Sequence, residues 1–189
     1  MPAIHRERVL RAATSSFLAR GYGSSVDDIA RRAGVAKQTV YQHFANKDEL
    51  FKAVAGDLAK RVLIKLEGGD VRQSLLRFSI EYRKRALGAQ GIATFRTLVP
   101  EAPRFRALAR AMYAGTAGEL VRRLSAYLGA AMEAGELRRD EPQFAAELFL
   151  GMLTGQDRMK RLFCVNGASD NEEQHTRRIV DCFLRAYQK

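Results

Sequence analysis

Eight polar side chains sit close enough together to act as one group: Ser25, Lys37, Gln38, Thr39, Tyr41, Gln42, His43 and Lys47. Between them they offer hydroxyls, amides, an imidazole and two ammonium groups, with no carboxylate in the run from Lys37 to His43. This is donor-rich chemistry, suited to acceptors such as phosphate oxygens and the edges of bases. Gln can bind adenine in a bidentate manner and Lys can reach guanine acceptors, while Tyr, His, Ser and a second Lys suit the sugar-phosphate backbone. Lys37, Gln38 and Thr39 are therefore assigned to bases, and the Ser25 hydroxyl to a phosphate.

Such groups need a rigid support, and the spacing supplies one. Val40 and Phe44, four residues apart, give a short helix from about Ala36 to Phe44 a buried side opposite the donors. Before it, Ile29, Ala30, Ala33 and Val35 form an apolar face broken at Gly34, the residue type that allows two helices to meet at a sharp angle. Ser25 is a suitable N-cap for a helix over Val26 to Ala33, with Asp28 in the place of a reciprocal partner. Asn46 and Glu49 repeat the arrangement before the next helix. A first helix from about His5 to Arg20 carries Val9, Leu10, Ala13, Phe17 and Leu18 on one side and stops at Gly21. The outline is a helix-turn-helix.

The remaining chain reads as helical throughout. Apolar positions from Leu50 to Leu66 predict a fourth helix of about twenty residues that ends near Gly68-Gly69, with Asp70 capping the next. Further helices run to about Leu87, from Ile92 to Leu98, from Arg104 to Ala134 with a bend at Gly115 or Gly118, from Pro142 to Phe163, and from about Glu172 to the C-terminus. The expected fold is all-α with about nine helices: a helix-turn-helix head over residues 1–50, joined by the fourth helix to a second helical domain over 51–189.

Composition limits the alternatives. The chain has 189 residues, 47% of them hydrophobic, enough to bury a core. It has no apolar run long enough to span a membrane and no signal-peptide pattern, so a cytoplasmic location is expected. The net charge of +11 favours polyanions. Only +3 of it lies in residues 1–50 and +8 in the remainder, so charge alone does not locate the DNA-binding end. Cys164, Cys182 and three scattered histidines have no metal-ligand spacing; no metal, cofactor or disulfide is expected, and the thiols are read as buried and inert rather than as a redox sensor. Gly21-x-Gly23 lacks the third glycine and the preceding strand of a dinucleotide loop, and no catalytic constellation is visible, so the chain is not read as an enzyme.

Residues 4–51 closely resemble the DNA-binding domain of the TetR family of bacterial transcriptional regulators. The residues that carry the resemblance are Ala13, Phe17, Gly21-Tyr22, Val26, Ile29-Ala30, Ala33-Gly34-Val35, Thr39-Val40-Tyr41, His43-Phe44 and Lys47 with Glu49-Leu50. Phe95 to Phe105 and Ala134 to Leu137 resemble the ligand-binding domain of one broad subgroup. Ala36 departs from the serine common in relatives and Gln38 from a smaller residue, which affects the operator sequence rather than the fold.

The resemblance implies that Tyr41, Gln42, His43 and Lys47 contact the DNA backbone and that residues 51–189 form a ligand-binding and dimerisation domain. It implies a homodimer on a palindromic double-stranded operator, released by a small-molecule effector. It implies that the last two helices pair with their copies, with Phe149, Leu153, Ile179, Val180, Phe183, Leu184 and Tyr187 as the expected interface. It also implies a central pocket, for which Phe78, Tyr82, Phe95, Arg96, Met112, Tyr113, Phe149, Met152, Gln156 and Met159 are the candidate lining. An activator, or a helical DNA-binding protein regulated by a protein partner, is the alternative.

Overall fold

The computed structural model describes residues 2–60, 70–165 and 171–188. Its helices are α1 (Pro2–Arg20), α2 (Val26–Ala33), α3 (Lys37–His43), α4 (Lys47–Lys60), α5 (Val71–Leu87), α6 (Ala89–Leu98), α7 (Arg106–Tyr113), α8 (Glu119–Glu133), α9 (Pro142–Leu162) and α10 (Glu172–Tyr187). A π-helical turn, Ala114–Gly118, separates α7 from α8. The irregularity expected at Gly115 or Gly118 thus covers both. Counting α7, this turn and α8 as one interrupted helix gives nine among the described residues. The expected continuation of α4 to Leu66 lies outside them. None of the described helices is long and apolar enough to cross a membrane.

The chain divides into two compact units: residues 1–61 with 93–113, and residues 62–92 with 114–189. The first is larger than the head expected over residues 1–50, for a physical reason. Phe51, Val54 and Leu58 of α4 share one core with Val9, Ala13 and Phe17 of α1, Ile29 of α2, and Val40 and Phe44, and Leu98, Phe105 and Leu108 pack against it. Thr97, itself buried, donates its hydroxyl to the Phe17 carbonyl at 3.0 Å, so α6 is hydrogen-bonded to the end of α1. A head that stopped at residue 50 would leave these apolar surfaces in water.

The second unit packs α5, α8, α9 and α10 around Leu75, Phe78, Leu124, Leu128, Leu153 and Tyr187. Asp70 caps α5 as expected, accepting from the Gln73 N–H at 2.8 Å, and Pro142 occupies the first turn of α9. The residues expected at the interface have a place inside the protomer. Phe149, Leu153, Val180, Phe183, Leu184 and Tyr187 are buried in this core, with Ile179 half-buried against it. Phe149 and Phe183 meet at 4.5 Å between ring centroids, Phe183 and Tyr187 at 4.6 Å. All but Ile179 are thus largely taken up by packing within their own chain.

A charged cluster lies at the other end of that core. Arg83 of α5 is only 4% exposed and donates to the Leu153 carbonyl at 2.5 Å, to Asp157 at 2.8 Å and to Glu172 at 2.6 Å. Glu172 also receives Arg161, whose guanidinium donates to the Leu87 carbonyl at 3.0 Å. A buried guanidinium is tolerated when carboxylates and carbonyls replace its hydration, and here these come from α9 and α10. Neither cysteine is buried: Cys164 and Cys182 are both exposed thiols, contrary to expectation, because Cys164 follows α9 and Cys182 lies on the solvent side of α10.

Candidate nucleic-acid interface

The turn between α2 and α3 is set by Gly34, which adopts φ 63° and ψ 41°. Its N–H donates to the Arg31 carbonyl and the next N–H, from Val35, reaches back to Ala30 at 3.1 Å, the double closure of a Schellman motif. A residue with Cβ is disfavoured at that φ. Arg8 of α1 also donates to the Gly34 carbonyl at 3.3 Å, pinning the turn to the first helix.

On this turn α3 buries Val40, while Phe44 closes its C-terminal end. Lys37, Gln38, Tyr41 and Gln42 are exposed, and Thr39 and His43 are half-buried. The structure therefore places these six residues on one short helix with an anchored back. Ala36 makes no side-chain cap, so the first amides of α3 have only the backbone of their own turn. Arg6 stacks over the Phe44 ring at 5.2 Å and braces the opposite end.

Ser25 caps α2, its hydroxyl oxygen accepting from the Asp28 N–H at 3.1 Å. Its own proton remains available as a donor. The reciprocal half of the capping box is absent. Asp28 pairs instead with Arg20 at 2.6 Å and Arg31 at 2.8 Å, and the Arg20 hydrogen bond holds its carboxyl below the usual carboxylate range. Asn46 likewise caps α4 from one side only, with Glu49 turned to Lys52.

Two of the cations are already engaged. Lys37 lies 2.9 Å from Asp27, whose hydrogen bond raises the ammonium above the ordinary lysine value. Lys47 sits over the ring of Tyr22, its Nζ 4.4 Å from the centroid. Beneath Lys47 is a group that sequence reasoning did not assign. The Tyr22 hydroxyl donates to Asp48, while Arg104 stacks on the Tyr22 ring at 4.4 Å and donates to Asp48 at 3.3 Å. Burial first, and then the bond to Asp48, push the Tyr22 hydroxyl up to about 12. The only local signal was Tyr22 directly after the stop at Gly21, because Arg104 is 82 residues away.

The residues expected to line a pocket are not brought together. Phe78, Tyr82 and Phe149 fill the core of the second unit, Met152 is half-buried against it, and Gln156 and Met159 are exposed on α9. Phe95 and Arg96 lie exposed on α6. Met112 and Tyr113 border a cavity of about 250 Å³ within the first unit. Among the described residues, no cluster of His, Cys, Asp and Glu could hold a metal ion.

A short anchored helix with an exposed donor face, set by a glycine turn on a second helix, defines a helix-turn-helix nucleic-acid-binding protein. Residues 9–54 match the family of bacterial regulatory proteins named for tetR, and residues 73–189 match the C-terminal domain of AefR-like transcriptional repressors. The chain belongs to the TetR family of DNA-binding transcriptional regulators.

Among its relatives, the HTH-type transcriptional activator FasR of Mycolicibacterium smegmatis is 42% identical over 85 residues, 44% of this chain and 36% of FasR. The chain thus matches only about a third of the length of that curated relative. The flavonoid-responsive regulator FrrA is 30% identical, with a TM-score of 0.76 over 97% of both chains. A TetR-family regulator from Mesorhizobium loti superposes with a TM-score of 0.85 over 100% of this chain and 99% of that one; at 24% identity, this likeness is one of fold.

Proposed function

We propose that the protein is a ligand-released repressor that binds a palindromic operator as a homodimer in the bacterial cytoplasm, without enzymatic activity. The observation that carries this reading is the donor face of α3, held against the core by Val40 and Phe44. Lys37, Gln38 and Thr39 enter the major groove and read bases. Tyr41, Gln42, His43, Lys47 and the Ser25 hydroxyl hold phosphates.

One head reads only a few base pairs, so useful affinity requires a second copy with half-site centres ~34 Å apart or a multiple of that. The surface offered to the copy is the solvent side of α9. Phe144, Leu148, Met159 and Phe163 are exposed there and recur at helical spacing, with Gly151 and Gly155 between them. Contiguous apolar surface of this kind marks an interface.

Effector release requires a small molecule that prefers the DNA-incompetent form, since equal affinity for both forms shifts nothing. That FrrA is named flavonoid-responsive supports an aromatic effector. The second reading is activation, favoured by the name of FasR.

The test is a nuclease footprint on the DNA upstream of the protein's own gene at moderate salt. A protected palindrome with two half-sites is expected. Absence of any protected palindrome would sink the proposal at its first step.

A further inference from the structure

The cavity of about 250 Å³ in the first unit belongs neither to the donor face of α3 nor to the core of the second unit. Its walls come from Phe51 of α4, the end of α6, part of the turn that follows (Val99, Glu101, Ala102 and Phe105), and one side of α7 from Leu108 and Ala109 to Met112 and Tyr113. All of these lie in the unit that carries the helix-turn-helix. Val99 and Tyr113 are 49% and 63% exposed, so the cavity opens to solvent past two apolar side chains.

We propose that this cavity binds a compact, neutral aromatic molecule. Its size excludes a helix or peptide segment and falls just below the usual range of ~300–1,000 Å³ for drug-sized ligands, which limits the occupant to one or two fused rings. Phe51, Phe105 and Tyr113 supply ring faces and edges, Leu98, Leu108 and Met112 the rest of an apolar lining. Among the described residues that border the cavity, Glu101 is the one that carries a charge. A carboxylate ligand would meet no cation among them and would lie beside a like charge, so desolvation and repulsion together disfavour organic acids. A cationic ligand would pair with Glu101, but both ions would lose hydration to walls that are otherwise hydrocarbon, a penalty that outweighs the attraction unless further hydrogen bonds offset it.

The position of the cavity gives its occupancy a consequence at the DNA-binding end. Phe51 and Phe105, which wall it, are also the rings on which Tyr22 rests, at 5.2 and 5.5 Å between centroids. Tyr22 in turn carries Lys47 on its face. One aromatic layer therefore separates the occupant from the ring beneath a cation assigned to the DNA backbone. A ligand that spreads Phe51 from Phe105 changes the support of Lys47. This regulatory meaning rests on the proposed DNA-binding function; occupancy of the cavity does not.

The protein contains no tryptophan, so indole serves as its own fluorescent probe. Indole anisotropy should rise saturably with wild-type protein. Ala109→Phe and Ala102→Phe, which fill the cavity from two different segments, should each weaken binding at least tenfold, with circular dichroism melts used to confirm that the variant compared is folded. Indole-3-acetate and tryptamine should bind at least tenfold more weakly than indole. No saturable indole binding, or equal binding by a folded filling variant, overturns the site; equal binding of indole-3-acetate overturns its chemistry. With an operator fragment from the footprint, saturating indole should weaken DNA binding at least fivefold in the wild type and leave it unchanged in Ala109→Phe. Indole binding with no effect on operator affinity overturns the coupling. Failure of the ligand-free protein to bind DNA is a failure of the function reading and leaves the anisotropy result standing.

Discussion

Lys37, the cation of α3 best placed to enter a groove, is held 2.9 Å from Asp27 of α2. Binding a guanine edge therefore requires the lysine to leave a carboxylate that stays nearby. Asp27 acts as a competitor that non-specific DNA must also overcome, which favours sites offering Lys37 a good acceptor. Asp27→Asn should raise affinity for random duplex DNA by roughly twofold to fivefold, the scale of an exposed pair, and raise operator affinity less. Fluorescence titrations of both DNAs at fixed salt would measure the ratio, and an unchanged ratio would refute the competition.

Lys47 occupies a different position, stacked on the Tyr22 ring. As a phosphate contact it contributes counterion release rather than sequence preference. Lys47→Gln should weaken all DNA sequences about equally and reduce the magnitude of the log K versus log salt slope by about 1. A loss confined to the operator would reassign Lys47 to base reading.

Tyr22 makes an alkaline prediction. Its hydroxyl is raised from 10.0 to about 12, so the folded state holds this proton more tightly than the unfolded state. The stabilisation is complete below pH 10 and is lost as pH rises from 10 to 12. Tyr22→Phe should cost about 1 kcal/mol at neutral pH, the usual net contribution of such a hydrogen bond. It should also lose stability less steeply than the wild type in urea melts across the alkaline range. Parallel curves for the two proteins would show that the Tyr22–Asp48 bond is not the cause.

The solvent side of α9 predicts the assembly. Leu148→Glu with Met159→Glu places two charges on the exposed stripe and should yield a folded monomer by sedimentation. Phe183→Glu instead buries a charge beside Phe149 and Tyr187 and should unfold the second unit. A dimer that survives the double substitution on α9 moves the interface elsewhere.

Arg83 tests the charged cluster. Arg83→Met keeps much of the stem but leaves Asp157 and Glu172 short of a counter-charge. Breaking such a pair from one side should cost about 3 kcal/mol and lower the melting temperature by roughly 6–12 °C in calorimetry. A shift within 2 °C would mean that Arg161 beside Glu172 and His175 beside Asp157 suffice for the two carboxylates.

The helices were legible in the sequence because their signals are local. Gly34 ends α2, Asp70 caps α5, Pro142 opens α9 and Val40 with Phe44 anchors α3, each within one or two turns. Asp28 marks where local reasoning failed: its side chain is one methylene shorter than the preferred glutamate, and Arg20 and Arg31 were close enough to take it. The two apolar sides of α9 show the larger difficulty. Phe149 and Leu153 turn inward, Leu148 and Met159 outward, and all four are hydrophobic. Periodicity registers both stripes without saying which one a neighbouring helix of the same chain will claim. Tyr22, Asp48 and Arg104 were illegible as a group because their meeting depends on a return of the chain across more than eighty positions.

That return bears on how such proteins can be recombined. Residues 93–113 complete the first unit from the middle of the sequence, between two portions of the second. A fragment cut after residue 60 would expose Tyr22 and Phe51 where Phe105 now covers them. The head is therefore not a cassette that can be lifted out at one junction. A chimera that grafts this reading helix onto another regulator must carry Thr97, Arg104 and Phe105 with it, or supply their equivalents from its new host.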